Sequence, residues 1–256
     1  MTGLAVHAWG DPAARRAVCL HGVTGHGRHF TQLAQHLLPD FQVLAPDLLG
    51  HGGSPYEPPW RIEAHADAVL AGLGAERAVW VGHSFGGRVA FEVAARQPGL
   101  VERLVLLDPA ILIPPGAALL AAENARRERT YASFEEAIDR RYEESQLHRA
   151  PRELVETELR DHLFRSDDGL WRYRYCQAAV VAAYSEMATS PPPFDTARVP
   201  TLLVLGEQSY LPYDHLLDAH ASALGDLLEV VRVPGGHTVL WDALEETVAA
   251  VTSFLG

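Results

Sequence analysis

Lysine is absent from this chain of 256 residues: all 21 basic residues are arginine. Schiff-base and Ser-Lys mechanisms, which need an amine, are thereby excluded. Cysteine is nearly absent too. Cys19 falls in a predicted core strand and Cys176 in a helix-rich middle region, so neither a disulfide framework nor a cysteine metal site is implied, and both read as small apolar fillers. No run of about 18 apolar residues is present to span a bilayer, and the N-terminus lacks a charged segment followed by an apolar one. The expectation is a cytoplasmic protein without membrane insertion. Positive charge is in deficit, with a formal net charge of -12 and no basic stretch interleaved with aromatics, which argues against nucleic acid and anionic membranes as partners. Arginine in place of lysine, with abundant alanine, fits the codon usage of a GC-rich bacterial genome. No feature of the chain specifies an oligomeric state.

What is present is alternation. Short β-branched or leucine-rich runs read as strands at 4–8, 17–20, 42–45, 79–81, 104–107, 201–205 and 228–233, and helical patterns at 30–37, 61–72, 86–96, 213–224 and 244–255 fall between them. This is the signature of an α/β fold with a mostly parallel, doubly wound sheet covered on both faces. The strand pattern stops between Pro114 and Pro193, where about eighty residues rich in Ala, Glu, Arg and Leu take over. The chain therefore divides into a core of residues 1–113 and 194–256 and an inserted all-helical subdomain, 114–193, which Pro151 and the Ser166-to-Gly169 stretch split into four helices. Because the insertion leaves the carboxyl end of one strand and returns before the next, it should cap the crevice where open α/β sheets bind ligands.

Gly82-His83-Ser84-Phe85-Gly86 sits between the strand Ala78-Val79-Trp80-Val81 and a helix beginning at Gly87. A G-x-S-x-G sequence in that context is a nucleophile elbow, the glycines allowing a turn tight enough to leave the serine exposed. The alternative role for Ser84 is a plain helix N-cap. His21-Gly22-Val23-Thr24 leaves the strand 17–20, where a second oxyanion donor is expected, so the backbone N–H groups of Val23 and Phe85 are the candidate oxyanion hole; a simple turn is the alternative. Among 13 histidines, His237 alone combines a strand end, the glycine-rich loop Pro234-Gly235-Gly236 and a late position, and is the candidate base. His26, His29, His51 and His83 read as loop or site-lining residues. No metal site and no cofactor are expected.

The HG turn at His21-Gly22, the run Asp47-Leu48-Leu49-Gly50-His51-Gly52-Gly53-Ser54, the GHSFGG elbow and Gly236-His237 together resemble the α/β-hydrolase superfamily over nearly the whole chain. The resemblance implies a Ser–acid–His triad. In most members the acid lies three residues past the glycine that ends the strand corresponding to 201–205, and here that position is Ser209. Glu207 and Asp214 flank it. A subset of the superfamily, including some haloalkane dehalogenases and pancreatic-type lipases, carries the acid after the strand preceding the cap, and here that residue is Asp108. Asp108 is therefore the preferred acid, with Glu207 and Asp214 as alternatives and a turn before Pro109 as its non-catalytic reading.

The resemblance implies a serine hydrolase cleaving carboxylic esters; the cap, by restricting access, points to small to medium acyl groups, and its residues suggest an apolar substrate pocket to which Leu112, Trp171 and Tyr184 are assigned. Each of these side chains equally suits a role in holding the cap helices together. Arg172 and Arg174 are either solvated or partners for a substrate carboxylate. Thioester, lactone or C–C bond cleavage by the same machinery, and a ligand-binding receptor with incidental turnover, are the competing functions.

Overall fold

Apolar residues that alternate between two faces dictate a sheet covered on both sides, and that is how the chain folds. A computed structural model describes residues 3–256; Met1 and Thr2 of the predicted segment 1–113 lie outside the described residues. The first half runs β1 (Val6–Trp9), β2 (Arg15–Leu20), α1 (Thr31–Leu37), β3 (Phe41–Pro46), α2 (Ile62–Leu73), β4 (Ala78–His83), α3 (Phe85–Arg96) and β5 (Val101–Leu107). The middle contributes α4 (Pro115–Ala125), β6 (Thr130–Tyr131), α5 (Phe134–Glu144), α6 (Arg152–His162), β7 (Leu163–Arg165), β8 (Trp171–Tyr173) and α7 (Gln177–Met187). The chain closes with β9 (Thr201–Gly206), α8 (Asp214–Leu224), β10 (Leu228–Val233), the one-turn α9 (Val239–Asp242) and α10 (Leu244–Leu255).

One seven-stranded sheet has the order β1-β3-β2-β4-β5-β9-β10, and only β1 runs antiparallel to its neighbour. The two-residue period of the strands sorts side chains into two cores. Val79 and Val81 of β4 join Leu33 of α1 and Val251 of α10 on one face, while Trp80 joins Val69 of α2 and Phe91 of α3 on the other. From β2 the chain first winds to β3 on one side and then crosses to β4 on the other, which makes the carboxyl ends of β2 and β4 the topological switch point. His21 and Ser84 are the first residues past those two ends.

The stretch between β5 and β9 differs from the sequence expectation in one respect: it is not all-helical. Besides α4 to α7 it holds a three-stranded antiparallel sheet in the order β6-β8-β7. These strands are two or three residues long, too short for a two-residue period to emerge from the surrounding helical pattern. Tyr131 and Tyr173 on them meet edge to face, with ring centroids 5.9 Å apart, and anchor the small sheet in the core beneath. Among the described residues no helix is long and apolar enough to cross a membrane.

Candidate active site

Ser84 adopts φ 53° and ψ -119°, a region that costs a non-glycine residue energy and persists only when its surroundings enforce it. They do so by close approach. A Cβ on Gly86 would collide with the Leu20 carbonyl, and one on Gly82 with the Gly86 carbonyl, so α3 can start hard against β2 and β4 only with glycine at both positions. The Ser84 hydroxyl does not cap α3, which removes the N-cap reading. Instead Ser84 lines a cavity of about 240 Å³, together with Val23, His83, His237 and Tyr184. Among the described residues neither the Val23 nor the Phe85 backbone N–H donates a hydrogen bond to protein.

His237 follows β10 on a loop fixed from below by Asp242, whose Oδ2 accepts the Gly236 N–H at 2.8 Å. Its Nδ1 lies 2.6 Å from Asp108 Oδ2. A carboxylate oxygen can only accept here, so Nδ1 carries the proton and Nε2 is left as a basic lone pair. Asp108 stands immediately after β5 in a left-handed conformation, φ 41°, and is held by the Gly206 N–H at 2.9 Å and the Ser209 hydroxyl at 2.5 Å. Ser209, at the position where the resemblance puts the acid, is thus a donor to Asp108. The two alternative acids lie elsewhere: Glu207 is exposed, and Asp214 pairs with Arg232 at 2.6 Å on the surface.

The surrounding histidines are held in place by hydrogen bonds and stacking. His83 donates Nε2–H to the His237 carbonyl at 3.0 Å, and burial holds its pKa far below the ordinary value. His29, stacked on His83 at 5.1 Å, is pushed by burial down to about 3. Both line the cavity. His21 accepts the Leu48 N–H through Nε2 at 2.9 Å and bonds the Gly22 carbonyl through Nδ1 at 2.8 Å, which fixes the turn presenting Val23. The Asp47-to-Ser54 run is likewise a brace: Asp47 accepts the Gly27 and Gly53 N–H groups at 2.7 and 2.8 Å. His26 and His51 are buried outside the cavity, the first stacked on His162 at 4.4 Å and the second 5.1 Å from His21. Among the described residues no three His, Cys, Asp or Glu side chains converge as metal ligands.

Of the residues assigned to the pocket, Tyr184 lines the cavity and two do not. Leu112 is half-buried against the core, and its neighbour Ile113 is the one that lines the cavity. Trp171 packs on Phe134, ring centroids 5.4 Å apart, under the small sheet. Arg172 is taken up by Glu128 and Asp168 at 2.9 and 2.7 Å, and Arg174 lies over the Phe164 ring, so neither reaches the cavity. In their place the wall carries Arg129 and Arg141, neither of which the sequence reading singled out. A signal for Arg141 existed: it shares the buried face of α5 with Ala137 and Ile138, where helical spacing calls for an apolar residue.

A serine on a strained elbow, a histidine with one nitrogen held by a buried carboxylate, and a cavity at the switch point of a parallel sheet define a hydrolase of the α/β class. The model of the Alpha/beta hydrolase family matches residues 17–250, and the chain belongs to that family. It is 35% identical over 258 residues to Lipase LipV of Mycobacterium tuberculosis, covering 99% of this chain and 98% of that protein. It is also 30% identical over 262 residues to the sn-1-specific diacylglycerol lipase ABHD11 of Mus musculus, covering 96% of this chain and 82% of the relative. The crystal structure of E-2-(acetamidomethylene)succinate hydrolase superposes with a TM-score of 0.86 at 25% identity, over 98% of this chain and 94% of that one.

Proposed function

We propose that the protein hydrolyses carboxylic esters through an acyl-enzyme on Ser84, with residues 114–193 as a cap over the site. The observation that carries this reading is the 2.6 Å contact between His237 Nδ1 and Asp108 Oδ2, which leaves Nε2 unprotonated at the wall that Ser84 shares. In the first half-reaction the Ser84 oxygen bonds to the ester carbonyl carbon as its proton passes to His237 Nε2. The resulting oxyanion takes the Val23 and Phe85 N–H groups, which have no other partner among the described residues. Collapse breaks the bond to the alcohol oxygen, which leaves with the His237 proton. Water then gives a proton to Nε2, attacks the acyl carbon and releases the acid, and Ser84 regains its proton. Asp108 keeps the imidazole in the required tautomer and stabilises its cation.

The cavity is smaller than the roughly 300–1,000 Å³ usual for drug-sized ligands, which favours a short acyl chain against Ile113, Tyr184 and Met187. The names of the two lipase relatives agree with ester substrates. The reading is tested by steady-state hydrolysis of p-nitrophenyl esters from acetate to palmitate. The expected result is turnover with an optimum at short chains and a loss in Ser84→Ala on the order of 10⁶ in kcat. Turnover by the Ser84→Ala variant at the wild-type rate would overturn it.

A further inference from the structure

We propose that the substrate carries a carboxylate as well as the ester, and that Arg141 is the residue that binds it. This rests on the ester-hydrolase reading above and names its substrate class more narrowly. Arg141 projects from α5 to the cavity wall and is only 7% exposed. Among the described residues its guanidinium forms no salt bridge within 4 Å, and its Nε is buried without a hydrogen-bond partner. A guanidinium offers five donors in a planar fork, and buried ones are normally spent on carboxylates or carbonyls. This one lies over the faces of Tyr173 and Trp241, with Cζ 5.8 and 5.2 Å from the ring centroids, a setting that holds it in place and uses none of its donors.

Neither nearby carboxylate bonds to it. Glu144, on the same wall, takes Arg129 at 3.4 Å and the Tyr131 hydroxyl at 3.0 Å, and Glu158, buried 3.3 Å from His26 Nε2, makes no hydrogen bond. Burial disfavours the charge, but Tyr173, Glu158, Tyr131 and Glu144 act on Arg141 through space and outweigh that cost, so the guanidinium keeps its proton while its donors stay available. That is what a preorganised anion site requires: charge in place, geometry fixed, hydrogen bonds unmade. The small cavity suits a carboxylate, which a guanidinium holds in a planar bidentate pair. Ala117 and Ala121 of α4 leave apolar wall for the methylenes of such an acyl chain.

The test compares two methyl esters with five-carbon acyl chains, monomethyl glutarate and methyl pentanoate, by methanol release. The wild type is expected to show at least a tenfold higher kcat/KM for monomethyl glutarate, and Arg141→Met to lower that ratio at least tenfold, with Arg141→Lys in between. A wild-type ratio near one, or a ratio that Arg141→Met leaves unchanged, overturns the proposal. The wild-type comparison needs no variant and so stands even if Arg141→Met does not fold. Calorimetric titration of the Ser84→Ala variant with the same two compounds separates this inference from the ester reading. Selective binding of monomethyl glutarate supports the anion site even if no ester is turned over, and equal or absent binding of the two overturns it.

Discussion

Asp108 accepts hydrogen bonds from a backbone N–H, a hydroxyl and an imidazole, so its two oxygens hold β9, the turn after it and the His237 loop in one arrangement. Asp108→Asn puts a donor where an acceptor is required and lets the imidazole take the wrong tautomer. The expected loss is on the order of 10⁴-fold in kcat for ester hydrolysis, with little change in thermal midpoint. Glu207→Gln and Asp214→Asn, both on the surface, are expected to leave the rate at the wild-type level, and a loss in either would move the acid away from Asp108. Gly86→Ala should fail differently, since its methyl group meets the Leu20 carbonyl and must push α3 off β2. It is expected to lower stability by several kcal/mol in urea unfolding, as overpacking and strain do. Ser84 and His237 stood out in the sequence because each follows a strand and stands among glycines, whereas Asp108 was singled out only by the family resemblance. The cavity wall was not legible. Leu112 against Ile113 just before the insertion, or Trp171 against Arg141 within it, is decided by which way a side chain turns at one position, which no simple periodicity describes.

Elements are joined across the molecule by another carboxylate. Asp242 at the end of α9 is buried, and besides the Gly236 N–H it accepts those of His148, Arg149 and Ala150, at 2.8 to 3.1 Å. The segment between α5 and α6 is thereby tied to the loop that carries His237. Asp242→Ala strands the Gly236 and Ala150 donors in the interior and releases those of His148 and Arg149. At about 1–3 kcal/mol for each buried group left unsatisfied, the expected loss of stability is several kcal/mol in urea unfolding. Because the same change frees the His237 loop, kcat should fall in the fraction that remains folded, and a variant with lowered stability but unchanged kcat would show that the loop is held by other contacts. This tie was invisible in the sequence. A four-residue helix has no periodicity to read, and Asp242 lies 92 to 94 residues from its insertion partners. The central strands were legible for the opposite reason: buried parallel strands are continuous apolar runs, and β4 is buried at all six positions.

At the scale of the whole molecule, the interior is unusually rich in neutral imidazole. Burial pushes His21, His29, His51, His65 and His162 down to about 3 in the folded state. An unfolded chain protonates the same rings near pH 6.5. Between those two values the unfolded state binds more protons than the folded one, so stability rises with pH and is lost as pH falls. Between pH 7 and 5.5 each ring contributes a loss of about 1 kcal/mol, and five together about 5 kcal/mol, against a total stability of about 5–15 kcal/mol for a typical domain. Relief of self-repulsion as the net charge of -12 is titrated away acts in the other direction, but it is spread over the surface and screened at 0.15 M salt. Thermal midpoints measured at that ionic strength should therefore fall steeply from pH 7 to 5.5 and be nearly flat from pH 7.5 to 8.5. His162→Gln, which keeps a donor for the Thr24 carbonyl now taking its Nε2–H at 2.8 Å, should make the decline shallower by about one proton. A wild-type midpoint constant across pH 5.5–7 would mean that these rings are protonated in the folded state and that the interior is not the dry environment their burial describes.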